Sequence, residues 1–306
     1  MQKLAGKPAQ LLGMIPRRAS RWLVRLAVLA VIVPLILQWL VAYVVGSDAR
    51  ILPPELLLAR NLLLVTAHPD DECLFFSPSI LGVLDRNKRV TGGLLVMSTG
   101  NNYGKGDTRK TELAGSCEAL GISADRCVAL DHPDLQDNPR EWWNTELIEG
   151  FVHEHVRKWD IDAIITFDEG GVSGHINHRA VSAAVSHYTA TNPQSPIAYT
   201  LTTTSLLRKY TILGDLPYTV LPFLWRIIEA LSYPAITAEV REGGTALVAN
   251  TWHRYLLTRR AFAQHDSQYS WDRHLYMILS RYVWFNDLKR LPHTAADEAF
   301  RTAVKT

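Results

Sequence analysis

From Leu26 to Val45 the chain reads LAVLAVIVPLILQWLVAYVV, twenty residues with no charge, one Gln and one Pro. At about 1.5 Å of rise per residue, a helix of that length covers roughly 30 Å, the hydrocarbon thickness of a bilayer. The stretch predicts a transmembrane helix over 26–46, with a basic tail at 1–25 before it and a domain over 47–306 after it. Trp22, Trp39 and Tyr43 fall near its ends, where aromatic rings favour the interface, and lipid-embedded helices tolerate a proline such as Pro34. A cleaved signal peptide would have a shorter apolar part and a small-x-small site after it, and a buried core helix would need a polar face. Neither feature is present.

The remainder is globular in composition. Of 306 residues 47% are hydrophobic and 20% charged, with Gly 18 and Pro 15, which excludes disordered, collagenous and low-complexity architectures. A formal charge of +2 gives no reason to expect a nucleic-acid partner. Cys73, Cys117 and Cys127 are odd in number and lack CxxC spacing, so reduced thiols are expected. Lys3, Lys7, Arg17, Arg18, Arg21 and Arg25 precede the apolar stretch, and the positive-inside rule puts that end in the cytosol and the domain across the membrane. The absence of Asn-x-Ser/Thr acceptors and the unpaired cysteines point the other way.

After Pro53-Pro54, apolar runs at 61–67, 90–98, 127–131, 162–167 and 197–203 read as strands, and segments 74–84, 108–121, 144–158 and 175–188 as helices. Asp107 or Thr108 is the expected N-cap of the second helix and Gly121 its stop. Strands alternating with helices predict an α/β, Rossmann-like fold, a mostly parallel sheet with helices on both faces and ligands at the carboxyl ends of the strands. Segment 206–236 is apolar but interrupted by Arg226 and Glu229; it reads either as an element lying in the membrane interface or as an insertion packed on its own domain. Residues 250–290 read as a helix, a turn at His265-Asp266-Ser267 and a second helix.

Two segments carry chemistry. After the first strand comes His68-Pro69-Asp70-Asp71-Glu72, a concentration of charge that is costly to bury without a compensating cation. His68 and Asp71 can ligate one ion, with Asp70 directed toward its open position; an exposed acidic turn capping the next helix would use the same residues. After the fourth strand comes Asp168-Glu169-Gly170-Gly171-Val172-Ser173-Gly174-His175-Ile176-Asn177-His178, whose two histidines share one face of a helical first turn. Two imidazoles and one carboxylate around an ion with room for water suit catalytic zinc, and non-haem iron would also fit. Arg109 follows a glycine loop and can contact a sugar or phosphate, or pair with Glu112. His265 can face the same pocket or simply end a helix. His132-Pro133-Asp134 repeats the first motif without its second aspartate and reads as a decoy, while Cys73 reads as helix packing.

HPDDE, TFDEGGVSGHINHRAV, AFAQHDSQYSW and LSRYVWFND together resemble the PIG-L (LmbE-like) metal-dependent deacetylases over about residues 60–290. The last two segments are most similar to the branch acting on N-acetylglucosaminyl-phosphatidylinositol in GPI-anchor synthesis. The resemblance implies that His68, Asp71 and His178 bind Zn²⁺ or another divalent metal, that Asp70 is the general base, and that His175 is general acid or oxyanion stabiliser. Beside these, Arg109 and His265 stand as the candidate substrate contacts, with the structural alternatives given above. It further implies a glycolipid substrate and the endoplasmic reticulum membrane, with the catalytic domain in the cytosol. Two alternatives compete. One is a deacetylase of a soluble N-acetylglucosaminyl conjugate, against which the apolar helix argues; the other is a catalytically silent membrane-anchored binding protein, which would not need Asp70 and His175 intact.

Overall fold

The computed structural model describes residues 17–85, 90–233 and 244–293; most of the basic tail, and 234–236 of the 206–236 segment, lie outside the described residues. Seven strands form one sheet in the order β3-β2-β1-β4-β5-β7-β6. β1 (Asn61–Thr66), β2 (Thr91–Val96), β3 (Cys127–Ala129), β4 (Ala163–Phe167) and β5 (Ile197–Leu201) are parallel, with Leu64 level with Leu94 on one side and Ile165 on the other. Leu62, Leu63, Leu64 and Val65 are buried on both faces of the sheet, as the continuous apolar run predicts. Each such side chain contributes about 1.5–3 kcal/mol of burial. The chain winds outward from β1 in one direction through β2 and β3, then returns to start β4 on the other side. The switch point, where such sheets bind ligands, therefore lies beyond the ends of β1 and β4.

Helices Gly106–Leu120, Thr145–Lys158 and Ile176–Thr191 follow the predicted rhythm, and Gly121 stops the first in the left-handed conformation at φ 79°. That helix starts earlier than expected, with Lys105 rather than Asp107 or Thr108 at its N-cap. Two further corrections concern long-range packing. Cys117 and Cys127 form a disulfide, because the Gly121 turn folds the helix end back against β3; only Cys73 is a free thiol. The C-terminal part is not two helices alone. After Trp252–Phe262 and Trp271–Leu279, β7 (Phe285–Arg290) enters the sheet antiparallel to β5 and to β6 (Thr245–Ala249).

The N-terminal helix runs Arg17–Trp39 and continues as a π-helical turn, Leu40–Val44. Over Arg18–Val44 it has the length and apolarity of a membrane span, its most apolar 18 residues having mean hydropathy 2.4. Trp22, Leu29 and Val31 are more than half exposed, so the helix presents an apolar surface outward. Its far end is fixed to the domain: Val41 and Val45 enter the core, Gln38 Nε2 donates to Asn250 O at 2.5 Å, and Trp252 N donates to Tyr43 Oη at 2.9 Å. Beside it, residues 206–232 form a chain of short helical turns ending in Leu224–Ser232. Leu213, Leu216, Val220, Phe223 and Ile227 pack inward, whereas Leu207, Leu221 and Trp225 are exposed.

Candidate active site

The turn after β1 is held in a strained form. Asp70 has φ 112°, outside the regions a residue with a Cβ ordinarily adopts, at a cost of about 1–3 kcal/mol. What fixes it is hydrogen bonding: Asp70 N donates to Glu72 Oε2 at 3.0 Å, Leu74 N donates to Asp70 O at 3.0 Å, and Arg109 Nη2 donates to Pro69 O at 2.5 Å. Glu72 is itself anchored by Ser116 Oγ at 2.5 Å and His265 Nε2 at 2.7 Å, all fully buried.

This turn aims Asp71 at the helix that follows β4. Asp71 Oδ2 accepts from Ala67 N and His68 N, while Oδ1 lies 3.3 Å from His178 Nε2. His178 Nδ1 faces the Gly171 carbonyl at 3.0 Å. A carbonyl only accepts, so Nδ1 carries the proton and Nε2 offers a lone pair. Two acceptors 3.3 Å apart in a buried site require a proton or a cation between them. His178 also stacks on Phe167 at 4.2 Å, which locks the ring. His68 Nε2 is buried without a hydrogen-bond partner, 3.3 Å from Asp137 Oδ1 but not aligned with it. Ring nitrogens of His68, His175 and His178 lie within 4.8 Å of one another. An orphaned imidazole nitrogen, a facing imidazole–carboxylate pair and a fixed tautomer together fit a divalent metal.

His175 differs from His178. It is the N-cap of Ile176–Thr191, and its Nδ1 accepts from Asn177 N at 3.3 Å. In the neutral ring the proton therefore sits on Nε2, making that nitrogen a donor rather than a ligand. Burial, and then repulsion from His68 and His178, push its pKa down to about 4, so it is neutral near pH 7. Burial followed by the Asp71 charge raises the Asp70 carboxyl, with Arg109 and Arg273 partly opposing. Burial also pushes Asp71 up, but the His178 and His68 rings and the backbone N–H of His68 outweigh it and hold the carboxyl far below the usual range. Adjacent carboxyl groups are thus driven apart.

These groups form one wall of a cavity of about 470 Å³. Of the residues expected at the site, His68, Asp70, Asp71, His175, His178 and Arg109 all line it. Arg109 is buried, bonded to Gly100 O and lying 3.8 Å from both Asp70 and Asp137; Glu112 instead accepts from Ser267. The expectation that His265 touches substrate is corrected, since the side chain is wholly buried and its Nε2 is committed to Glu72. His132 stays outside the cluster, accepting from Asp134 N. Sequence reasoning missed Asp137, whose signal was its place in the loop beyond β3, and missed Lys209 and Arg273, which also line the cavity.

Fold and site together define an α/β protein with a histidine–carboxylate centre at the switch point of its sheet. A sequence profile described as GlcNAc-PI de-N-acetylase matches residues 63–189. The N-acetylglucosaminyl-phosphatidylinositol de-N-acetylase of Bos taurus is 38% identical over 262 residues, covering 84% of this chain and 95% of that protein. The protein of the same name from Saccharomyces cerevisiae is 35% identical over 249 residues, covering 73% of this chain and 79% of that one. Among solved structures, a triple mutant of a deacetylase from the teicoplanin biosynthetic pathway superposes with TM-score 0.50 at 12% identity, over 76% of this chain and 98% of that one, a likeness of fold alone. The chain belongs to the PIG-L family of deacetylases.

Proposed function

We propose that this protein hydrolyses the N-acetyl group of N-acetylglucosaminyl-phosphatidylinositol, giving glucosaminyl-phosphatidylinositol and acetate, an early step of GPI-anchor biosynthesis. The observation that carries the chemistry is the buried Asp71–His178 approach of 3.3 Å beside Asp70 on one cavity wall. His68, Asp71 and His178 would hold a zinc ion, which when bound supplies Lewis acidity toward the amide carbonyl and the attacking water. Asp70, raised by burial and by Asp71, takes a proton from that water and returns one to the leaving amine. His175, neutral and protonated on Nε2, donates a hydrogen bond to the oxygen that becomes negative as the carbonyl turns tetrahedral. Of the two roles expected for it, this geometry favours oxyanion stabiliser.

The Arg18–Val44 helix and the outward apolar side chains of 206–232 support a protein held at a bilayer, with the cavity at headgroup depth where a glycolipid stays. An endoplasmic reticulum location with a cytosolic domain rests on the family resemblance. The Cys117–Cys127 pair removes the cysteine argument for it. A sequon inserted near Gly104 decides the orientation: no glycan is expected, and glycosylation would place the domain in the lumen. The activity is tested by incubating purified protein with N-acetylglucosaminyl-phosphatidylinositol and following acetate. Release by the wild type and background release by Asp70→Asn are expected; full activity in the variant would remove the proposed base.

A further inference from the structure

We propose that Lys209 and Arg273 form an anion site for the phosphodiester of the substrate headgroup, fixing the glycolipid by its only charge within the cavity that Asp70 and Asp71 also line. The inference rests on the preceding functional reading and deepens it.

Lys209 is only 7% exposed, yet no carboxylate lies within ion-pair distance of it among the described residues. Its ammonium instead sits among rings, 5.4 Å from the centroid of Phe75, 5.5 Å from Tyr276 and 5.9 Å from both Tyr210 and Tyr282. Cation–π contacts return about 0.5–2 kcal/mol each, less than burying an unpaired ammonium costs. The group beside it is another cation, Arg273, and burial together with that charge pushes the lysine down to about 8. Two cations line the same cavity, and the lysine has no carboxylate partner among the described residues, so the pair can receive an anion there.

The other polar groups leave this role to them. Arg109 is occupied by Pro69 O and Gly100 O and stands near Asp70 and Asp137. Asp272, the lining carboxylate outside the Asp70, Asp71 and Asp137 group, is exposed and accepts from Ser270 Oγ at 2.6 Å. Arg273 also lies 3.9 Å from Asp70 Oδ2, so one cation of the pair stands beside the proposed base. Amino sugar and inositol offer hydroxyls; the diester that joins them to the lipid offers the charge. Lys209 closes the short helix Leu206–Lys209, whose Leu206 and Leu207 are 74% and 80% exposed, on the apolar side of the domain. The phosphate would thus be held where the lipid leaves the cavity.

The test compares two substrates, dihexanoyl N-acetylglucosaminyl-phosphatidylinositol and phosphate-free N-acetylglucosaminyl-inositol, in wild type, Lys209→Met and Lys209→Arg. Losing a charge-assisted hydrogen bond predicts a KM raised about 10- to 100-fold for the phosphodiester in Lys209→Met, with kcat within about twofold and partial recovery in Lys209→Arg. For the phosphate-free substrate, kcat/KM should change less than about threefold. Equal losses on both substrates, or none on either, would overturn the assignment. Wild-type turnover tests the functional reading; the ratio between substrates tests Lys209. A measurement independent of turnover and of variant folding is calorimetric binding to the wild type, where glycerophosphoinositol should bind at least about tenfold tighter than myo-inositol. Equal affinities would refute the anion site.

Discussion

Replacing Glu72 by Gln tests whether the strained Asp70 turn is held from behind. The Glu72 carboxylate receives three donors, Asp70 N at 3.0 Å, Ser116 Oγ at 2.5 Å and His265 Nε2 at 2.7 Å. A glutamine of the same shape has one oxygen. With that oxygen toward Ser116 and His265, its amide N–H₂ confronts the Asp70 N–H; turned the other way, the amide requires His265 to give up its Nε2 proton. His265 Nδ1 already lacks a partner, so a proton moved there stays unsatisfied. Either arrangement leaves one buried group unpaired, about 1–3 kcal/mol, and loses the charge interaction as well. A total of about 3 kcal/mol is expected, at the lower end for breaking a buried ion pair. For a domain of this size that lowers Tm by roughly 6–12 °C. The assay is near-ultraviolet circular dichroism melting of the detergent-solubilised protein, with deacetylase kcat on the same preparation. Because Asp70 loses its backbone anchor, kcat should also fall at temperatures where the variant is fully folded. A Tm within about 1 °C of wild type, with kcat unchanged, would refute the claim that Glu72 and His265 hold the turn.

Three shorter predictions follow from neighbouring contacts. Gly100 has φ 69°, and a Cβ there would overlap the Arg109 guanidinium; Gly100→Ala should cost about 1–3 kcal/mol in stability and lower kcat/KM, and independent, additive effects of Gly100→Ala and Arg109→Ala in the double variant would contradict the contact. Asp137→Asn removes a negative charge 3.3 Å from the His68 nitrogen that would face the ion and should weaken zinc retention about tenfold in chelator competition, whereas unchanged retention would show that this charge does not help to hold the ion. Lys209, with its pKa near about 8 and facing Arg273 and the rings of Phe75, Tyr210, Tyr276 and Tyr282, is charged below that pH and neutral above it. The KM of the phosphodiester relative to the phosphate-free substrate should therefore be flat below about pH 8 and rise several-fold by about pH 9, and a flat ratio throughout would contradict it.

The parallel half of the sheet was legible because β1, β2, β4 and β5 are buried on both faces and their apolar runs need no partner to be recognised. The antiparallel edge was not. β7 reads FNDLKR, and its polar residues have their reasons elsewhere: Asn286 accepts from Ser79 and donates to Phe75 O, and Asp287 pairs with Arg281. Ser79 and Phe75 are more than two hundred residues from Asn286, so no local pattern reports them. The Cys117–Cys127 pair is made by a helix end folding onto a strand, and His265, which the sequence left either facing the pocket or ending a helix, is decided by its distant partner Glu72. At the site, the two motifs placed five side chains at the switch point, because fold topology converts strand ends into neighbours. What the motifs could not supply was the rest of the cavity lining. Lys209 and Arg273 arrive from segments whose sequence reads as apolar insertion and helix.

The account depends on a single ion shared by the turn after β1 and the helix after β4. Measuring zinc per chain in purified wild type and His178→Ala, together with acetate release from N-acetylglucosaminyl-phosphatidylinositol, tests it most directly. Removing the imidazole that faces Asp71 at 3.3 Å should take zinc from about one equivalent to near none and activity to background, with the fold retained. A His178→Ala protein that keeps its zinc and its turnover would contradict the proposed centre.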